Sequence, residues 1–430
     1  IGKLSGMHRS NTDRSQVSLL SFYFMPSVSS PNISEAPLPP TIRALGWSSF
    51  LTDMASEAIY PLLPAFFMRE LGLTSVGVGL LDGLASATAA IVRLPAGMLS
   101  DRMGRRPLVI VGYTLATLSR PFMGMVTGPF GASIVRVADR FGKGVRSAPR
   151  DALVADLVPS DMRGRAFGHI RAMDHAGAAA GPLVAMLFLW WFPGRERALF
   201  MLTILPGLAA LAVVVRFVHD PYPVRRVLRA DIPAQPLWPS LTGPQKTLLG
   251  CVALYSLGAS SEQFLLMRAT DLLHSAGMTT AVVPLIWLAV GLTKSLSARY
   301  TGRLSDRMHP RIVLAFGWLI FAAAYAGLSL STDLWTSLGL IMLVGISYGI
   351  SEPAERSLVS LLSQPDQQGS AFGWYMLVQG LLALPASVLT GWLWHQGNDG
   401  VSIALAVSAG LPFAAAVVLW STRSTLGMQK

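Results

Sequence analysis

Apolar residues make up 52% of the 430-residue chain and charged residues only 13%, about half the charged share usual in soluble globular proteins. With a positive mean hydropathy, most of the chain must touch lipid or pack helix on helix, and a single cysteine, Cys251, excludes an internal disulfide and any thiolate metal cluster. The net charge of +11 does not argue for nucleic acid, because the excess Lys and Arg sit in loops on one side, where anionic headgroups lie.

In chain order, residues 1–43 open on a Ser- and Pro-rich stretch whose apolar patch at 17–25 is too short to span a bilayer. The patch has no small-residue cleavage site, so 1–43 reads as a disordered cytoplasmic tail. Twelve apolar segments follow, at about 44–67, 76–99, 107–126, 130–156, 167–192, 198–218, 247–268, 280–299, 310–331, 334–360, 371–394 and 401–421. Each is close to the roughly 20 residues a spanning helix needs. Residues 219–246 hold six prolines, from Pro221 to Pro244, and read as a cytoplasmic linker. The expected domains are two six-helix bundles, 44–218 and 247–421, with 422–430 as a cytoplasmic tail.

Between the second and third segments lies a dense charged hairpin, Gly97-Met98-Leu99-Ser100-Asp101-Arg102-Met103-Gly104-Arg105-Arg106. So short a loop sets its flanking helices antiparallel, and its arginines mark the cytoplasmic side. Arg163, Arg165, Arg225, Arg226, Arg303, Arg307 and Arg311 fall on that same side. Opposite loops carry fewer cations, chiefly Arg69, Arg195, Arg197 and Arg268, so both termini are expected to be cytoplasmic. A constant offset of 205 residues relates the halves. It takes Ser56-Glu57 to Ser261-Glu262, the core of the hairpin to Gly302-Arg303-Leu304-Ser305-Asp306-Arg307-Met308, and Gly164-x-Ala166-Phe167-Gly168 to Gly369-x-Ala371-Phe372-Gly373.

At these residues the chain resembles the major facilitator superfamily, whose loop between helices 2 and 3 carries Gly-x-Leu-Ser/Ala-Asp-Arg-x-Gly-Arg-Arg. The resemblance covers about 44–421 and implies an all-α membrane protein of twelve transmembrane helices. It also implies two parallel-repeat bundles with a site near the midplane between them. By the same resemblance Gly97, Asp101, Arg102, Gly104, Arg105 and Arg106 form a conformational latch. Asp101 would meet the N-terminal end of helix 11 near Ser370 and a helix 4 arginine. Gly302, Asp306 and Arg307 form the second copy, expected to be weaker because His309-Pro310 replaces Gly-Arg.

Ionisable residues inside a spanning helix are costly and so are functional candidates. Asp53 and Glu57 lie four apart on one face of the first segment, and Glu262 is the counterpart of Glu57. Two carboxylates facing a common cavity would suit proton coupling or a cation. Alternatively, Asp53 caps a kink or pairs with a basic residue of the fourth segment. Asp82 is open to either kind of reading. The fourth segment puts Arg136, Asp139, Arg140 and Lys143 on one wet stripe that continues to Arg146, Arg150 and Asp151. That stripe either lines a path or forms an interfacial face. Arg140-x-x-x-Gly144 resembles the superfamily's Arg-x-x-Gln-Gly motif, with Lys143 where glutamine is expected. Gly168, Gly177, Gly181 and Pro182 resemble its helix 5 antiporter motif, although Ala185-Met186 replaces the closing glycine pair. Small residues there also suit plain close packing. Glu352 can pair with Arg356 four residues on, and Glu355 stands at the position equivalent to Arg150, so the pseudo-symmetric surfaces carry opposite charges that would suit salt bridges between the halves.

No phosphate loop is present, since Phe141-Gly142-Lys143-Gly144 lacks the spacing and hydroxyl. His169 and His175 share no helical face, so no metal site is expected, and no catalytic constellation or cofactor motif occurs. The reading is a monomeric, non-enzymatic secondary transporter in the cytoplasmic membrane. It would move a small organic solute by alternating access, with proton-coupled export by antiport. A proton-coupled uptake symporter (for a siderophore or organic anion) and a non-transporting sensor or assembly protein are the alternatives.

Overall fold

The computed structural model describes residues 37–73, 75–219, 241–259, 262–278, 283–396 and 399–422. Most of the expected N-terminal tail, linker and C-terminal tail lies outside them. The described chain is helical: α1 (Pro40–Ile59), α2 (Leu63–Arg69), α3 (Ser75–Met103), α4 (Arg105–Phe122), α5 (Pro129–Leu157), α6 (Arg163–Trp191), α7 (Glu196–Leu202), α8 (Ile204–Phe217), α9 (Gly243–Gly258), α10 (Gln263–Ser275), α11 (Val283–Arg307), α12 (Pro310–Leu330), α13 (Leu334–Leu361), α14 (Gln368–Trp394) and α15 (Gly400–Ser421). Three of the twelve expected segments are broken rods. The first turns through a 3-10 step at Tyr60–Leu62 between α1 and α2, where Pro61 has no N–H to give. The sixth breaks at Thr203 between α7 and α8, and the seventh between α9 and α10.

Several helices overrun the predicted segments on the side of the basic loops, below called the basic end. There α3 runs to Met103 and α6 begins at Arg163, because charged residues at a membrane surface can stay helical while hydrated. Seven helical stretches are long and apolar enough to cross a bilayer among the described residues. The charge-rich α5 is not one of them, since it carries eight ionisable side chains.

In the first half α1 packs on α6, and α5 on α3 and α4; in the second α12 packs on α13 and α15, and α11 on α13. The halves meet along two seams, α3 with α14 and α6 with α11, and the 205-residue offset exchanges one seam for the other. Glycines let the backbones touch. A Cβ on Gly97 would run into the carbonyl oxygen of Gly369, and one on Gly164 would sit 2.5 Å from that of Gly302. These are the same contact made twice. On the axis between them, the fully buried Phe167 and its counterpart Phe372 meet ring to ring at 5.7 Å.

Candidate functional site

A cavity of about 370 Å³ lies between the halves, within the size range of small-molecule sites. The first half contributes Asp53 and Glu57 from α1, Arg93 from α3, and Lys143 and Arg146 from α5. Asp53 and Glu57 make no hydrogen bond or ion pair among the described residues. Their helix is seated by the α6 glycines: Gly177 lies against the backbone of Phe50, and a Cβ on Gly181 would come 2.7 Å from the amide nitrogen of Ala58. Gly168 instead seats α6 on α11, with Ala298 oxygen 2.6 Å from its virtual Cβ. The glycine motif thus fixes both α1 and the other half relative to α6, and Pro182 sits inside that helix.

Toward the basic end the cavity closes on an ion network. Asp151 is fully buried and accepts from Arg356 Nε at 2.9 Å, Arg150 Nε at 3.2 Å and Arg171 Nη2 at 3.4 Å. Asp174 takes the other side of Arg171 at 2.8 Å and of Arg150 at 3.3 Å. Glu352 stands 3.7 Å from Arg356, 3.8 Å from Arg171 and 3.7 Å from His175. The Asp151–Arg356 bond joins the halves, and its residues are 205 apart, so it lies on the same axis as the phenylalanine pair. The inter-half pair is not Arg150 with Glu355. Glu355 accepts instead from Trp318 Nε1 at 3.1 Å, Gln379 Nε2 at 3.2 Å and the Tyr375 hydroxyl. Breaking one member of such a buried network leaves an uncompensated charge, which costs about 3–5 kcal/mol.

Several expected residues lie elsewhere. Glu262 does not share the cavity with Glu57; Lys294 of α11 holds it at 2.6 Å. The physical reason is local: position 294 carries a lysine where its counterpart in α3 is Ala89. Of the four upper charges on α5, only Lys143 lines the cavity. Arg136 donates to Asp82 at 2.7 Å, Asp139 accepts from Arg120 of α4 at 2.7 Å, and Arg140 lies over the Tyr60 ring at 5.6 Å. The stripe is wide enough that its edges turn to α3, α4 and the Tyr60 step while its centre faces the cavity.

At the basic end, Asp101 accepts from the backbone N–H of Gly369 at 2.9 Å and of Ser370 at 2.7 Å, at the start of α14. The Ser370 hydroxyl and Arg105 also bind it, and Arg105 is gripped by Asp156 of α5 at 3.0 Å. Arg106 donates to the Val215 carbonyl at 2.8 Å, while Arg102 and Arg307 are exposed. Gly104 has φ +100°, which glycine adopts without strain. In the second copy Asp306 accepts from the Arg165 N–H at 3.1 Å, at the start of α6.

Reading the sequence missed Arg93, Arg120, Arg171, Asp174 and Lys294, although each is a charge within an apolar run and so carried the signal used for the others. Tyr255, Tyr348, Tyr375 and Gln379, which line the far wall, carry no such signal.

Two six-helix bundles meeting around a charged cavity, fastened at one end by loop carboxylates on helix N-termini, define a polytopic helical membrane protein of the duplicated type. The chain belongs to the Major Facilitator Superfamily, whose family model matches residues 45–301 and 248–426. It is 29% identical over 387 residues to an uncharacterized MFS-type transporter of Methanocaldococcus jannaschii, covering 88% of this chain and 96% of that protein. It is 26% identical over 375 residues to the multidrug resistance protein MdtH of Photorhabdus laumondii, covering 83% and 88% respectively. In fold it resembles the human organic anion transporter MFSD10 (TETRAN), with a TM-score of 0.72 at 17% identity, over 88% of this chain and 99% of that one.

Proposed function

We propose that this protein is a proton-coupled exporter of a small organic solute in the cytoplasmic membrane. In this reading it works as a monomer by alternating access between bundles 44–218 and 247–421, with both termini cytoplasmic. The observation that carries the reading is the pair Asp53 and Glu57, two carboxylates with no hydrogen bond or ion pair among the described residues, on the wall of a cavity between the halves. Carboxylates so placed can take a proton from one side and release it to the other. Similarity to a multidrug resistance protein and the α6 glycine pattern support export as the direction.

The basic end supplies the gate. With Asp101 on the start of α14 and Asp306 on the start of α6, the halves are closed there, which supports an outward-facing state. A helix N-terminus attracts a carboxylate by about 0.3–1 kcal/mol, more when partly buried, enough to bias a two-state equilibrium severalfold. Turnover then requires both carboxylates, and the Asp151–Arg356 bond beneath the cavity, to part.

The test is proton flux in proteoliposomes containing a pH dye, under an imposed gradient with pooled small solutes. Wild type should show a solute-dependent flux that Glu57→Gln abolishes. An unchanged flux and pH profile in Glu57→Gln would overturn the proton assignment.

A further inference from the structure

The central cavity carries three cations that no carboxylate holds among the described residues, and they lie on one wall. Arg150, Arg171 and Arg356 are held by Asp151 and Asp174. Arg93, Lys143 and Arg146 are not so held. Lys143 makes no side-chain hydrogen bond or ion pair among the described residues. Arg146 is only 4% exposed; its guanidinium stacks over the Tyr113 ring at 4.8 Å, and its buried Nη1 has no partner among the described residues. Among the described residues Arg93 donates once, at 3.4 Å, to the Met376 carbonyl, and its buried Nε has no partner.

On the acidic side of the count, three donors fill Glu355, while Asp174 and Glu352 belong to the ion network. Asp53 and Glu57 alone remain on the lining, two carboxylates against three cations. The ion network thus uses its own carboxylates internally, and among the described residues no carboxylate is bonded to Arg93, Lys143 or Arg146. An unpaired guanidinium in a low-dielectric site is expensive, and an anion that reaches it relieves that cost through short, charge-assisted bonds.

We infer that Arg93, Lys143 and Arg146 form an anion subsite and that the transported solute is a small organic acid. Its carboxylate, sulfonate or phosphate group sits among these three cations. The body of the solute faces the opposite wall, where the Tyr255 and Ser351 hydroxyls, on residues 4% and 1% exposed, are buried without partners among the described residues. Those hydroxyls suit a hydroxyl or carbonyl on the solute. The inference rests on the carrier reading and is indifferent to the direction of flux.

A matched trio of probes tests it with the purified full chain: 4-hydroxybenzoate, 4-hydroxybenzyl alcohol and 4-hydroxybenzylamine, which share one body and differ in charge. Binding is read as thermal stabilisation and as dissociation constant. The acid should bind and the alcohol and amine should not. Lys143→Gln and Arg93→Gln should each weaken the acid by about tenfold, and neither side chain holds a carboxylate whose loss would unfold the protein. Arg146→Gln should do the same and Arg146→Lys should restore part of the affinity. Preference for the amine, equal binding of all three or of none, or an acid affinity unchanged in all the glutamine variants overturns the subsite. A proton flux arm separates the two readings. Flux driven by the amine alone keeps the carrier and discards the subsite, whereas acid binding without proton flux keeps the subsite and discards proton coupling.

Discussion

At 97–106 and again at 302–311 the chain turns between antiparallel helices with the same glycine and the same aspartate in register, and each aspartate reaches the start of a helix in the other half. The surroundings differ. Asp101 binds two backbone N–H groups, the Ser370 hydroxyl and Arg105, and Arg105 is itself tied to Asp156. At the second site the equivalents of Arg105, Ser370 and Asp156 are Pro310, Arg165 and Leu361. Asp306 is left with the backbone N–H groups of Gly164 and Arg165 and a distant Arg165 Nε at 3.9 Å. The backbone half of the latch survives in both copies, because it needs only glycine and a helix N-terminus. The side-chain half survives in one. A repeated motif therefore preserves a docking geometry more readily than it preserves the strength of the contact.

The largest expected effect breaks that comparison directly. Asp101→Asn removes the charge from a site built of donors, and a charge-assisted bond is worth about 1.5–3 kcal/mol. It should slow solute-driven proton flux by about tenfold or more, against roughly threefold for Asp306→Asn. Initial rates in proteoliposomes measure this, and equal losses would mean that the side-chain half adds nothing. Cys251 is the lone cysteine and is buried, so Cys251→Ala gives a clean background in which a cysteine placed on the cavity wall reports which way the halves open.

A smaller effect separates the two turns. Gly104 sits at φ +100°, whereas its counterpart His309 sits at φ −59° and accepts the Arg311 N–H at 3.2 Å. Gly104→Ala should cost about 1–2 kcal/mol of stability and lower the melting temperature in detergent. His309→Ala should cost less, and the reverse order would show that the first turn relaxes.

The smallest effect serves as a control outside both loops. Asp333 caps α13, accepting the Thr336 N–H at 2.8 Å, and that bond holds its carboxyl below the ordinary value of 3.8. The group's folded-state affinity for protons is thus reduced, so its contribution is complete above about pH 4 and fades as pH falls through the lowered value. Asparagine caps as well as aspartate. Asp333→Asn should therefore match wild type in acid and fall slightly below it near neutrality, read as melting temperature against pH, with transport unchanged throughout.

Much of this molecule was legible from residue patterns alone. The duplicated hairpin, the 205-residue offset and the apolar runs led to the two-bundle fold, and the same offset turned out to carry the Gly97–Gly369 contact of one seam onto the Gly302–Gly164 contact of the other. The site was only partly legible. Charge within an apolar run flagged Asp53, Glu57 and Lys143, which do line the cavity. The same criterion admitted Asp82, Arg136, Asp139 and Glu262, whose partners lie on neighbouring helices. Whether a buried charge is spent on a neighbour or left for a ligand depends on pairings between helices, which sequence spacing does not contain. Uncharged lining residues such as Tyr255 and Gln379 are invisible for a simpler reason: tyrosine and glutamine occur in any packed helix.

The pair Asp151 and Arg356 has a consequence for ancestry. A residue facing its own counterpart across a two-fold axis works in a symmetric dimer when like attracts like, as Phe167 and Phe372 still do. Asp151 and Arg356 could not have begun so, since two aspartates or two arginines would repel at that point. Two identical six-helix subunits could not have made this bond, so divergence of the two halves was the condition for acquiring it. The pair is a mark of divergence after duplication, and it commits each half to the other.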